Sequence, residues 1–102
     1  MYLKIVSDLE YQIFTGNISS HQLPSIRKLA DKLKVSVITI KKAYAILEND
    51  HIIISQPKKG YTISSKARDI IIEKRKEEVK SALVYIEKTL EVYDISLSDF
   101  FN

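Results

Sequence analysis

The sequence predicts a mainly α protein with a small β-wing: a winged helix-turn-helix followed by a long C-terminal helix. Three observations carry that expectation. Two short amphipathic segments meet at Lys34-Val35-Ser36, a join too short to be a loop of its own. A β-branched run, Ile52-Ile53-Ile54-Ser55, is followed by the turn cluster Gln56-Pro57-Lys58-Lys59-Gly60 and a returning Tyr61-Thr62-Ile63. Beyond Ser65 there is no Gly or Pro, and apolar residues recur at helical intervals.

The elements follow in order. Met1–Thr15 reads as a helix with Tyr2, Ile5, Val6, Leu9 and Ile13 on one face and Lys4, Asp8 and Glu10 outside it. Gly16 is placed to cap its C-terminus, and Phe14 is expected to fold back onto the core. Asn17–Gln22 is a polar loop. Pro24 favours an extended approach and Ser25 can cap the next helix. There Ile26, Leu29, Ala30 and Leu33 form a buried stripe at three- and four-residue steps. Arg27, Lys28, Asp31 and Lys32 fall off that stripe, with Arg27 and Asp31 spaced for a surface ion pair. Val35 plugs the corner and Ser36 caps the following helix, which runs to about Glu48.

That helix is the informative one. Ile40, Ala43, Tyr44 and Leu47 make its core stripe. At 100° per residue, Ile38 lies roughly 160° from Ile40, on the side away from the core. Lys41, Lys42 and Ala45 share that side, with Val37 and Thr39 on its shoulders. Scattered exposed apolar residues are common on any surface. Here, though, the arrangement suits a DNA major groove: lysines for phosphates, methyl groups for thymine methyls, Ser36 and Thr39 for hydrogen bonds. Lys58 and Lys59 at the hairpin tip sit beside Gly60, which lets the backbone approach a partner closely. One residue of the Asn49-Asp50-His51 turn is expected at positive φ, a conformation that Asn and Asp tolerate best after Gly. The core is expected to comprise Ile5, Leu9, Ile13, Leu29, Leu33, Val35, Ile40, Tyr44, Leu47 and Ile52.

The chain divides into a winged-helix domain, 1–64, and a helical tail, 65–102. In the tail, Lys66 to about Tyr93 should be one helix. Its Ile72, Val79, Leu83, Ile86, Leu90 and Tyr93 fall on a heptad seam, with Lys76 at the one polar seam position. A seam of this kind calls for a partner: it either packs back on the first helix or pairs with a second copy of the chain, and the second copy is the expectation. Asp94-Ile95 ends the pattern. Ser96-Leu97-Ser98-Asp99 resembles a capping box leading into a short terminal helix with Phe100 and Phe101, which would cover the end of the seam.

Composition bounds the alternatives. A chain of 102 residues allows one small domain and an appendage, and 45% hydrophobic content is enough for a core. There is no cysteine, so no disulfide, which fits the cytoplasm. His21 and His51 are far apart and read as loop histidines, so neither metal nor cofactor is expected. No apolar run is long enough for a membrane span. No His, Cys or carboxylate pair sits at catalytic spacing, so no enzyme is expected. The net charge is +3, and it is unevenly spread. Residues 25–60 carry eight basic and three acidic groups, whereas residues 65–102 carry seven basic and eight acidic. The positive field thus sits on the helix-turn-helix and wing, as nucleic acid requires. The competing reading is a winged-helix protein-interaction module that recruits a partner through the heptad helix.

Leu23-Pro24-Ser25-x-Arg27-x-Leu29-Ala30, Val35-Ser36, Thr39-Ile40, Ala43-Tyr44-x-x-Leu47-Glu48, Ile52 and Gly60 together resemble the DNA-binding domain of GntR-type bacterial transcription regulators. The opening Tyr2-Leu3-x-Ile5 fits as well, and the likeness covers about residues 2–64. The remainder is similar to the short YtrA-like branch, whose tail is a long helix plus a small one used for dimerisation. The resemblance implies a homodimeric repressor on a palindromic double-stranded DNA operator, often controlling transporter genes. It places Ser25 and Arg27 at the DNA, with Arg27 on a phosphate or guanine edge. It puts Ser36 and Thr39 on phosphates, Lys41 at a position usually Arg or Lys, and Lys58, Lys59 and Gly60 at the wing contact. Val37 stands where the family commonly has Arg, and Ile38 where it often has a small polar residue. The operator is therefore expected to be A·T-rich there. His51 replaces a usual Gly, and Ser20-His21-Gln22 lacks the usual Pro-Gly turn. The sequence names no small-molecule effector; a cleft between head and tail is the place left for one.

Overall fold

A computed structural model describes residues 1–19 and 23–101. Its elements are α1 (Tyr2–Thr15), α2 (Ile26–Leu33), α3 (Val37–Asn49), β1 (Ile53–Gln56), β2 (Gly60–Ile63), α4 (Ala67–Val92) and a terminal 3-10 helix (Leu97–Phe100). The polar loop is described as far as Ser19; His21 and the Ser20-His21-Gln22 stretch lie outside the described residues. The chain forms two compact units, Met1–Ile71 and Ile72–Asn102.

In the first unit α1 ends where Gly16 takes φ 83 and donates its N–H to the Ile13 carbonyl. That left-handed turn is cheap only without a Cβ. Ile5, Val6, Leu9 and Ile13 of α1 pack with Leu29 and Ala30 of α2 and with Ile40, Ala43, Tyr44 and Leu47 of α3. Ile52, Ile53, Ala67 and Ile71 close the same core. The first turn of α4 is therefore built into the head. Arg68 reinforces it by stacking its guanidinium 4.6 Å from the centre of the Phe14 ring.

Four side chains depart from the sequence reading. Glu10, expected outside the α1 stripe, is 1% exposed. It follows Val6 by four residues and precedes Ile13 by three, so the helix carries it round to the packed side. Leu33, expected in the core, is 43% exposed. It stands at the end of α2 and lines, with Leu29, Ile5 and Leu9, a cleft of about 460 Å³ between α1 and α2. Among the described residues, Arg27 and Asp31 form no ion pair. Val35 is half-buried against the core, as a corner plug should be.

The wing is a two-stranded antiparallel ribbon with Ile53 opposite Ile63 and Gln56 opposite Gly60. Its strands start and end within one residue of the expected runs. In the second unit, α4 continues to Val92 and then reverses. Asp94 takes φ 53 and the Ile95 N–H donates to the Leu90 carbonyl at 2.9 Å, closing the helix end with a left-handed residue. The capping box forms: the Asp99 carboxylate accepts from the Ser96 N–H at 3.0 Å. The 3-10 helix includes Phe100, while Phe101 lies just past its end as the cap.

Candidate nucleic-acid interface

The helix-turn-helix is fixed by its caps. The Ser25 hydroxyl accepts the Lys28 N–H at 3.2 Å, starting α2. At the other end Lys34 takes φ 56, and the Val35 N–H reaches the Ala30 carbonyl at 3.0 Å. Ser36 then starts α3, accepting the Thr39 N–H at 3.1 Å. The Ser36 and Thr39 hydroxyls also share a hydrogen bond at 2.8 Å, in which either can donate. Two hydroxyl protons and one shared bond leave one proton to donate outward, beside the positive end of the helix dipole. An anion oxygen is the natural acceptor there.

The face of α3 away from the core is as the helical spacing requires. Ile38 is 65% exposed and Val37 is 37% exposed. Lys41, Lys42 and Ala45 are exposed beside them. The Lys42 ammonium lies 5.6 Å from the centre of the Tyr2 ring. It is thus held against α1 by a cation–π contact while its charge stays at the surface. Arg27, in the first turn of α2, is exposed.

At the wing tip, the Lys59 N–H donates to the Gln56 carbonyl at 3.0 Å, closing a tight turn. Two residues take positive φ there, Gly60 at 80 and Lys58 at 66. The turn cluster announces the glycine; Lys58, two residues before it, takes the left-handed conformation at the third position of the turn that the Lys59–Gln56 hydrogen bond closes.

What brings these segments together is a residue that sequence reasoning treats as plain core. Tyr44 of α3 is 1% exposed, yet its hydroxyl donates to the Pro24 carbonyl at 2.6 Å. Its ring packs in a T-shaped contact with Tyr61 of β2, with centroids 4.9 Å apart and planes at 80°. One side chain therefore ties the approach to α2, the exposed-face helix α3 and the wing. Its phenol is pushed well above the ordinary 10.0, by burial first and then by Tyr61. The available signal was the residue type: a Tyr at a fully buried stripe position must find a partner for its O–H.

Ser25, Arg27, Ser36, Val37, Ile38, Thr39, Lys41, Lys42, Lys58, Lys59 and Gly60 thus all belong to the first unit, on three segments braced by Tyr44. Ile72, Val79, Leu83, Ile86, Leu90 and Tyr93 belong to the second. Among the described residues no group of His, Asp or Glu is placed to hold a metal, and no helix is long and apolar enough to cross a membrane.

Comparison with known proteins gives a consistent result. Residues 1–63 match the family described as bacterial regulatory proteins, gntR family. The uncharacterized HTH-type transcriptional regulator YcxD of Bacillus subtilis is 36% identical over 67 residues, 65% of this chain. The chain spans only 15% of the length of that relative. Among solved structures, a GntR family transcriptional regulator from Listeria monocytogenes is 28% identical. It superposes with a TM-score of 0.74, covering 97% of this chain and 87% of that one. YtrA from Sulfolobus acidocaldarius, a GntR-family transcription factor, is also 28% identical. Its TM-score is 0.60, over 79% of this chain and 86% of that one.

Proposed function

Because this chain belongs to the gntR family of bacterial regulatory proteins, we propose that it is a transcriptional repressor that acts as a cytoplasmic homodimer on a palindromic operator. The winged helix-turn-helix is the DNA-binding domain. The observation that carries the finer reading is the outward face of α3, where Val37 and Ile38 stand exposed between hydroxyls and lysines. In a major groove the lysines neutralise phosphates, the Ser36–Thr39 pair donates to a phosphate oxygen, and the two branched side chains meet thymine methyls. Arg27 reaches a phosphate or a base edge from α2, and Lys58 and Lys59 reach the backbone or minor groove from the wing. The heptad seam of α4 joins the two copies, in the manner of a short YtrA-like regulator.

The test is fluorescence anisotropy with a duplex from upstream of the chain's own gene, across a salt series. Roughly 6–10 phosphate contacts per dimer would lower affinity by about 10³–10⁵ between 50 and 200 mM salt. Replacing both Lys41 and Lys42 with Ala should weaken binding and flatten that dependence while the circular dichroism spectrum is unchanged. Unaltered DNA affinity in a folded double variant would refute this reading and favour the protein-interaction module.

A further inference from the structure

The cleft between α1 and α2, about 460 Å³ in volume, has the size that holds a small molecule. Its floor is apolar. Leu9 and Leu29 are buried there, while Leu33 is left 43% exposed although its spacing puts it on the stripe of α2. An apolar body laid on that floor takes Leu33 out of water, a gain in proportion to the area covered.

The rim is charged, with opposite signs on the two walls. From α2 come Lys28 and Lys32, one turn apart and both exposed. From α1 comes Asp8, also exposed. Among the described residues, Asp8, Lys28 and Lys32 form no ion pair with one another or with any other side chain. Opposite charges that line one cleft without meeting leave room for a molecule that carries both signs. A lone anion is drawn to the lysines but repelled by Asp8, and a lone cation the reverse. We propose that this cleft binds a zwitterion with an apolar body, the chemistry of an apolar α-amino acid. The carboxylate goes to Lys28 and Lys32, the ammonium to Asp8, and the side chain lies over Leu9, Leu29 and Leu33. The site uses none of the residues assigned to DNA, so it stands whether or not the chain acts at an operator.

The test is a titration of the isotope-labelled full chain, followed by amide chemical shifts, with L-phenylalanine as the probe. Each control lacks one feature: 3-phenylpropanoate has no ammonium, phenethylamine no carboxylate, and glycine no apolar body. Saturable shifts at millimolar phenylalanine are expected on the facing sides of α1 and α2 that line the cleft. Phenylalanine should bind about fivefold more tightly than either singly charged analogue, the worth of one exposed ion contact, and glycine should not saturate. Lys28→Gln together with Lys32→Gln should abolish the advantage over phenethylamine, and Asp8→Asn the advantage over 3-phenylpropanoate, each measured on the same variant. Circular dichroism checks that the variants fold, and the ligand comparison on the wild-type chain needs no variant at all. The proposal is overturned by phenylalanine that shifts no cleft residue, by equal affinity for phenylalanine and both analogues, or by folded variants that keep the wild-type preferences.

Discussion

At position 51 the backbone takes φ 64, in the turn that leads from α3 to the wing. The expectation allowed any of three residues, with Asn and Asp the better tolerated; the strain instead falls on a histidine. An L-residue in the left-handed region loses about 1–2 kcal/mol, while glycine's extra freedom in the unfolded chain costs about 0.5–1 kcal/mol. His51→Gly is therefore expected to stabilise the protein by about 0.5–1 kcal/mol. A urea unfolding midpoint that rises at constant m-value would show it. Tyr44 works in the opposite sense. Tyr44→Phe keeps the ring packing against Tyr61 but leaves the Pro24 carbonyl without its 2.6 Å donor, an expected loss of about 1 kcal/mol. The fold favours the neutral phenol, so its contribution is fully present below the ordinary 10.0 and is lost as pH rises through the raised folded value. The wild-type protein should lose stability more steeply than Tyr44→Phe above pH 10, as alkaline denaturation series of the two would reveal.

Among the elements, α3 carries the proposed reading face. Its inner stripe of Ile40, Ala43, Tyr44 and Leu47 is fully buried, which fixes its rotation and leaves Val37 and Ile38 outward. No guanidinium stands at the start of this helix to grip a guanine edge, so methyl contact with A·T pairs is the expected basis of selection. Introducing Val37→Arg should move the preferred base at that position toward G·C, with a discrimination of about 1–3 kcal/mol. Selection from randomised duplexes by the two forms is the measurement; an identical consensus from both would refute the role given to Val37. The rotation of α3 was legible because its period is strong and its buried face lacks any charged residue. The side of α1 occupied by Glu10 was not, because residue type argued one way and helical geometry the other, and packing followed the geometry.

For the molecule as a whole, the proposed repressor depends on two copies acting together. Linking two half-site contacts makes the second effectively intramolecular and is worth about 10²–10⁴ in apparent affinity. Leu83 is a half-exposed seam residue far in sequence from the segments proposed to face DNA. Leu83→Lys should therefore dissociate the dimer in sedimentation runs and lower operator affinity by roughly that factor. The head's thermal transition, which rests on the Met1–Ile71 unit, should remain. A fully dimeric Leu83→Lys protein would remove the seam from the proposal.

The sequence by itself determined the order of elements, the caps at Ser25, Ser36 and Ser96, the outward face of α3 and the heptad pattern of α4. These are local or periodic properties, carried by neighbours within a turn or two of helix. Tertiary structure alone decided that Tyr44 braces three segments, that Leu33 lines a cleft rather than the core, and that the first turn of α4 belongs to the head. Each of those depends on which distant residue arrives beside it: Pro24 lies 20 positions from Tyr44, and no period along the chain encodes that meeting.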